Sequence, residues 1–176
     1  MAGRLGPWVV AAVVAIAALF ALFSAPRIPP PLGRGSSAPD FELPRLSGGA
    51  PIALSALRGE VVLVNFWATW CKPCEDEMPA MQRLYGALHD EGFQLLAVSV
   101  DDEPGVVVEF NDRLGLTFPI LMDTDKRVAQ IYQTYRFPES FLVGRDGRVV
   151  ERYIGPREWD AAVYVERIRR LLRDGS

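Results

Sequence analysis

The chain's only two cysteines, Cys71 and Cys74, close the segment Trp70-Cys71-Lys72-Pro73-Cys74, a few residues after the apolar run Val61 to Trp67. This pair limits the fold and the chemistry more than any other feature. A disulfide that staples a fold gains from closing a long loop, and a loop of four residues gains little. A tetrahedral zinc site needs four ligands, and with one histidine in the chain and no third cysteine it would have to recruit carboxylates. Inert buried cysteines have no reason to keep a spacing that, at a helix start, brings the two sulfurs within disulfide reach. The pair therefore reads as a redox dithiol.

A second constraint lies at the N-terminus. No charge occurs from Leu5 to Pro26, and Pro7 to Phe23 is an unbroken apolar run of 17 residues. That length stands at the lower limit for a membrane-spanning helix and exceeds most signal-peptide cores. Cleavage after Ala25 or Ser24 would set Phe23 or Leu22 at the third position back, where a small residue is needed, so an uncleaved anchor is expected over residues 1–26. Arg4 on one side and Arg27 and Arg34 on the other nearly balance the positive-inside rule. The very short tail before the run favours export of the residues C-terminal to it. Residues 27–37, rich in Pro, Gly and Ser, read as a linker, and a domain is expected over 38–176.

Those 139 residues suffice for one core. Three of the 19 basic residues precede Ala38 while all 22 acidic ones come after it, which leaves the domain at a net charge of −6. With no basic stripe, nucleic acid is not an expected partner.

Two short strands, Asp40 to Leu43 and Pro51 to Leu54, are expected around Ser47-Gly48-Gly49, ahead of a central strand at Val61 to Trp67. Met78, Met81, Leu84, Tyr85 and Leu88 recur with helical spacing, so the cysteines open a helix that Pro79 kinks. Phe93 to Val100 reads as a buried strand, Pro104 to Leu114 as a helix ended by Gly115, Phe118 to Met122 as a strand and Asp125 to Tyr132 as a helix. Phe141 to Val143 and Arg148 to Ile154 flank the turn Gly144-Arg145-Asp146-Gly147, and Ala161, Val165, Ile168 and Leu172 give a last helix its inward face. This order is an α/β layer arrangement, which places reactive groups at strand-to-helix junctions.

At such a junction Cys71 faces unpaired backbone N–H groups and the positive end of the helix dipole, so it is the expected nucleophile, and Cys74 the resolving thiol. Lys72 adds a charge that should lower the thiol pKa, and Pro73 presets the first turn. Glu75 and Asp76 complement the helix dipole. Glu77, three residues past Cys74, shares its helical face, where a carboxylate can exchange its proton.

The segments Val64-Asn65-Phe66-Trp67-Ala68-Thr69-Trp70-Cys71-Lys72-Pro73-Cys74 and Glu77-Met78-Pro79 resemble the membrane-anchored thioredoxin-like thiol-disulfide oxidoreductases of the TlpA, ResA and CcmG/DsbE type. Gly115-Leu116-Thr117-Phe118-Pro119-Ile120, Val128, Tyr132 and Phe137-Pro138-Glu139-Ser140-Phe141-Leu142-Val143 extend the resemblance from Ala38 to about Leu172. Thioredoxin itself usually carries a buried Asp where this chain has Asn65, which points to the extracytoplasmic branch. The resemblance implies a thioredoxin-like α/β fold, a mixed sheet flanked by helices with an extra N-terminal β-hairpin, behind one transmembrane helix. It implies catalysis by Cys71, Cys74 and Glu77, and substrate contacts at Trp70, Lys72, Pro73, Phe137 and Pro138, with Pro138 cis. Phe137 departs from the small or β-branched residue expected there, and it could equally be core.

The resemblance also implies no cofactor beyond the Cys71–Cys74 disulfide and no metal. It implies electrons drawn from a membrane dithiol carrier of the CcdA/DsbD type and passed to oxidised cysteine pairs of exported clients such as apocytochrome c, at the periplasmic side of the inner membrane. Two other classes fit less well. A copper-binding assembly module of this fold needs cysteines four apart and a downstream histidine, whereas His89 is most simply a helix C-terminal cation. A peroxiredoxin needs Pro-x-x-x-Thr-x-x-Cys, and Thr69 lies two residues before Cys71 and five before Cys74.

Overall fold

The computed structural model describes residues 6–24 and 31–174, and the chain divides between Pro31 and Leu32 into two units. The first holds α1 (Pro7–Ser24), 18 uncharged residues with a mean hydropathy of 2.3. At 1.5 Å per residue it is about 27 Å long, enough to cross the hydrocarbon core of a bilayer. Arg4 and Arg27, on which orientation turns, lie outside the described residues.

The second unit begins with a hairpin, β1 (Glu42–Leu43) and β2 (Ile52–Ala53), shorter than the sequence suggests and succeeded by a 3-10 turn at Leu54–Leu57. Next come β3 (Val61–Trp67), α2 (Lys72–Leu88), β4 (Phe93–Ser99), α3 (Pro104–Leu114), β5 (Ile120–Met122), α4 (Arg127–Ile131), β6 (Glu139–Val143), β7 (Val149–Ile154) and α5 (Ala162–Asp174). Five strands form one mixed sheet in the order β5-β4-β3-β6-β7. The β3–β4 and β4–β5 pairs are parallel, and the β3–β6 and β6–β7 pairs are antiparallel.

All seven residues of β3 are buried, as its apolar character on both faces, broken only at Asn65, requires of a strand covered on both sides. Against the sheet α2 turns Met78, Met81, Leu84, Tyr85 and Leu88, and α5 turns Ile168, Leu171 and Leu172. The α2 helix continues through Pro79 without interruption. At the end of α3, Gly115 takes φ 63°, the left-handed conformation that glycine adopts without steric cost. Asp123 caps α4, accepting the N–H groups of Val128 and Ala129 at 3.1 and 2.8 Å.

Residues 32–37 correct the sequence reading, in which they belong to a linker. Leu32 is buried, Gly35 N–H donates to the Val149 carbonyl at 2.7 Å, and Val149 N–H donates to that of Ser36 at 2.8 Å. Arg152 donates to the Leu32 carbonyl at 3.1 Å. Backbone pairing needs no particular side chain, so a Pro/Gly/Ser composition does not prevent this segment from covering the outer edge of β7. At the other edge, Leu46 N–H reaches the Ile120 carbonyl, and Met122 N–H reaches that of Pro44. The folded domain therefore starts at Leu32 rather than Ala38.

Candidate active site

The turn from β3 into α2 carries the dithiol, and Asp101, just past β4, holds that turn. Its carboxylate accepts the Thr69 N–H at 2.9 Å, the Thr69 hydroxyl at 2.7 Å and the Ser99 hydroxyl at 2.8 Å. Cys71 is the N-cap of α2, with Pro73 in the first turn. Cys71 and Cys74 are joined as a disulfide. Cys74 N–H donates to Cys71 Sγ at 3.3 Å, a bond that strengthens when that sulfur is a thiolate. Cys74 is wholly buried and Cys71 retains 6% exposure, which fits a resolving and an attacking sulfur.

Around Cys71 the surface is aromatic. Trp70 is 68% exposed, and its ring meets that of half-buried Phe137 edge-on at 5.9 Å. The Phe137–Pro138 peptide bond is cis, as the resemblance implies. Phe137 packs on the core and also touches Trp70, so the two readings of this residue coexist.

Lys72 takes part in surface ion pairs. Its ammonium binds Asp76 at 2.8 Å and Glu75 at 3.8 Å, contacts that hold its pKa up and offset its charge near the thiols. Glu75 is also bound to Arg113 at 2.7 Å, which lowers its pKa, so the acidic first turn forms a surface ion-pair network.

Glu77 turns inward and is only 3% exposed. Its Oε1 accepts from Asn65 Nδ2 at 2.8 Å, while Oε2 accepts the Arg157 N–H at 3.1 Å and the Trp159 indole N–H at 3.0 Å. Burial pushes its pKa up to about 7, and the three donors, with the Arg157 charge, pull the other way. A depression of about 240 Å³ lined by Asp76, Pro156, Arg157 and Glu158 reaches this residue from solvent. A carboxylate poised near neutrality, one turn beyond a buried thiol, can accept and return that thiol's proton.

Asn65, Ser140, Arg157 and Trp159 are not among the residues that the sequence singles out as functional. One of them does carry a signal: Asn65 is the single polar side chain inside the run Val61 to Trp67. Such a residue in a central strand must find hydrogen-bond partners.

The sheet, the helix that starts at a CxxC and the cis-proline just before β6 define a thioredoxin-like thiol-disulfide oxidoreductase. Comparison with known proteins agrees. Residues 34–152 match the model of the AhpC/TSA family. ResA thiol-disulfide oxidoreductases of Geobacillus kaustophilus and Bacillus subtilis are 44% identical over 121 residues and 37% over 124, covering 69% and 70% of this chain and 69% of each relative. Among solved structures, a thiol:disulfide interchange protein of Chlorobium tepidum has a TM-score of 0.67 at 28% identity, over 79% of this chain and 97% of that one. StoA of Bacillus subtilis gives 0.63 at 26%, over 76% and 96%. The chain belongs to the AhpC/TSA family and, within it, to the ResA-like thiol-disulfide oxidoreductases.

Proposed function

We propose that this chain is a membrane-tethered reductant of protein disulfides, held by α1 with its domain on the extracytoplasmic side, and that oxidised cysteine pairs of apocytochrome c are among its clients. The observation that carries this reading is the buried carboxylate of Glu77 behind the second cysteine. A negative charge there opposes full thiolate formation, which keeps the dithiol reducing. The names of its relatives and the length of α1 support the oxidoreductase and the tether.

In the reduced protein, the Cys71 thiolate attacks one sulfur of the client disulfide, and the client's other sulfur leaves as a thiolate. Cys74 gives its proton to Glu77 and attacks Cys71 Sγ, breaking the mixed disulfide and releasing the second client thiolate. Two electrons pass from the dithiol to the client, the Cys71–Cys74 disulfide forms, and Glu77 returns its proton to the departing sulfur or to solvent. A membrane dithiol carrier of the CcdA/DsbD type then restores the thiols. Trp70, next in sequence to Cys71, and Phe137, in ring contact with Trp70, would receive the client chain together with Pro138, while Lys72 and Pro73 shape the helix start.

The reduction potential against glutathione tests the direction. A value near or below that of thioredoxin, about −270 mV, is expected, and one near about −120 mV would make the protein an oxidant instead. Reduction of a C-x-x-C-H disulfide peptide tests the client class. Trapping tests the order of attack: Cys74→Ser should accumulate a mixed disulfide with a small disulfide reagent and Cys71→Ser should not, and equal trapping would reverse the assignment.

A further inference from the structure

The carboxylate of Glu77 is held by three donors arranged unequally. Oε2 takes two N–H groups, from Arg157 and Trp159, and Oε1 takes one, from the Asn65 amide. Backbone and indole N–H groups can only donate, so both need a lone pair at Oε2. A proton arriving on Glu77 therefore settles on Oε1, where it meets the Asn65 NH2 head-on.

Asn65 is wholly buried in the centre of β3 and stands opposite Ser140 of β6 in the sheet register. Its Nδ2 donates to Glu77 at 2.8 Å and to the Ser140 hydroxyl at 2.9 Å, while its buried Oδ1 has no hydrogen-bond partner among the described residues. The two ends of an amide are nearly identical in shape, so turning it over leaves packing unchanged. Reversed, Oδ1 accepts the Glu77 O–H and the Ser140 O–H, and Nδ2 becomes the unpaired end. Each orientation leaves one buried polar atom unpaired, and the proton on Glu77 decides between them.

We infer that Asn65 is a positioning residue whose amide reverses with the proton on Glu77, carrying that proton's arrival and departure into Ser140, two residues after the cis-proline. The Ser140 hydroxyl accepts from Asn65 in one state and donates to it in the other. Loading of the acid behind Cys74 thereby reaches the strand that begins beside Pro138. This rests on Glu77 acting as the acid–base partner of Cys74. Burial that pushes its pKa up to about 7 makes both states accessible near neutral pH. The other groups facing Glu77 are Cys74 on its own helix and, on the segment after β7, Trp159 and Arg157, whose guanidinium is tied to the carbonyls of Ile154, Gly155 and Pro156. Asp76 and Glu158 line the adjoining depression.

The test is an NMR titration of the oxidised full chain in detergent micelles, where the disulfide keeps both cysteines from titrating. It monitors the Glu77 carboxyl carbon, the Asn65 side-chain NH2 and the Ser140 backbone amide. In the wild type all three should move with one midpoint. In Asn65→Leu the Glu77 midpoint should rise, by about one pH unit or less, because the bond lost by the charged form is stronger than the one lost by the neutral form, and the Ser140 amide should stop moving with it. A Ser140 amide that still tracks Glu77 in Asn65→Leu overturns the inference. So does a wild-type Asn65 NH2 that ignores the Glu77 midpoint, a result that needs no variant to fold. Turnover of a disulfide substrate by the same wild-type sample tests the oxidoreductase reading separately, so a protein that turns over with a silent Asn65 loses only this inference.

Discussion

The indole N–H of Trp159 donates to Oε2 of Glu77 at 3.0 Å, across 82 residues of sequence. Arg157 adds its backbone N–H to the same oxygen, so the segment between β7 and α5 completes the surroundings of an acid that α2 presents. Trp159 itself is locked by ring contacts with Tyr153 and Tyr164, both at 5.2 Å, which fixes the indole without help from the carboxylate.

Trp159→Phe should therefore keep most of the aromatic packing while removing one donor to the charged form of Glu77. The Glu77 midpoint should rise from about 7 by about one pH unit, since a hydrogen bond to a charged group is worth about 1.5 kcal/mol or more. A carboxyl carbon titration reads the shift, and an unchanged midpoint would show that the indole bond contributes nothing to the ionised state.

The correction at residues 32–37 gives a stability prediction. A fragment starting at Leu32 should fold and turn over a disulfide substrate in solution. One starting at Ala38 should be less stable by about 2 kcal/mol from the lost burial of Leu32 alone, with the open edge of β7 adding to the loss. Thermal melts of the two fragments decide the point, and equal midpoints would return the segment to the linker.

Arg152 ties this same segment to the cis-proline loop. Its guanidinium binds the buried Glu139 carboxylate, the Leu32 carbonyl at 3.1 Å and the Gln133 carbonyl at 2.8 Å. Arg152→Met should cost about 3 kcal/mol or more, because it leaves a carboxylate buried without its partner. Adding Glu139→Leu should recover much of that loss in urea unfolding. A single variant as stable as the wild type would mean that the Arg152–Glu139 pair contributes nothing to the fold.

The sequence made the architecture legible where a periodicity outlasts its surroundings. Val61 to Trp67 has no polar face to expose except at Asn65, and the helical spacing from Met78 to Leu88 survives a proline. The dithiol was legible because two cysteines at this spacing have few other uses, and the inward turn of Glu77 because three residues past Cys74 is the same helical face. The partners of Glu77 were not, since a hydrogen bond to Arg157 or Trp159 exists only after the chain has closed on itself. The edge pairing of residues 35–37 was hidden for another reason: it is made by backbone groups, which composition does not report. The ion pair of Lys72 with Asp76, four residues on along α2, follows from helical spacing.

Glu77→Gln joins stability, pH and redox direction in one variant. The carboxyl's folded pKa of about 7 stands above the ordinary 4.5, so between those pH values the folded state holds more protons than the unfolded state. Stability of the oxidised protein should fall as pH rises through that window, by about 3 kcal/mol in all from this group. Gln does not titrate, so the variant should gain on the wild type by about that amount between pH 4 and pH 8, read from urea midpoints at both. In the reduced protein, removal of a negative charge behind Cys74 should lower the thiol pKa values. A more stable thiolate means a more stable reduced state, so the reduction potential should rise and the variant should be a poorer reductant. Parallel pH curves for the two proteins, with unchanged thiol titration and potential, would reduce Glu77 to a buried group with no part in the chemistry.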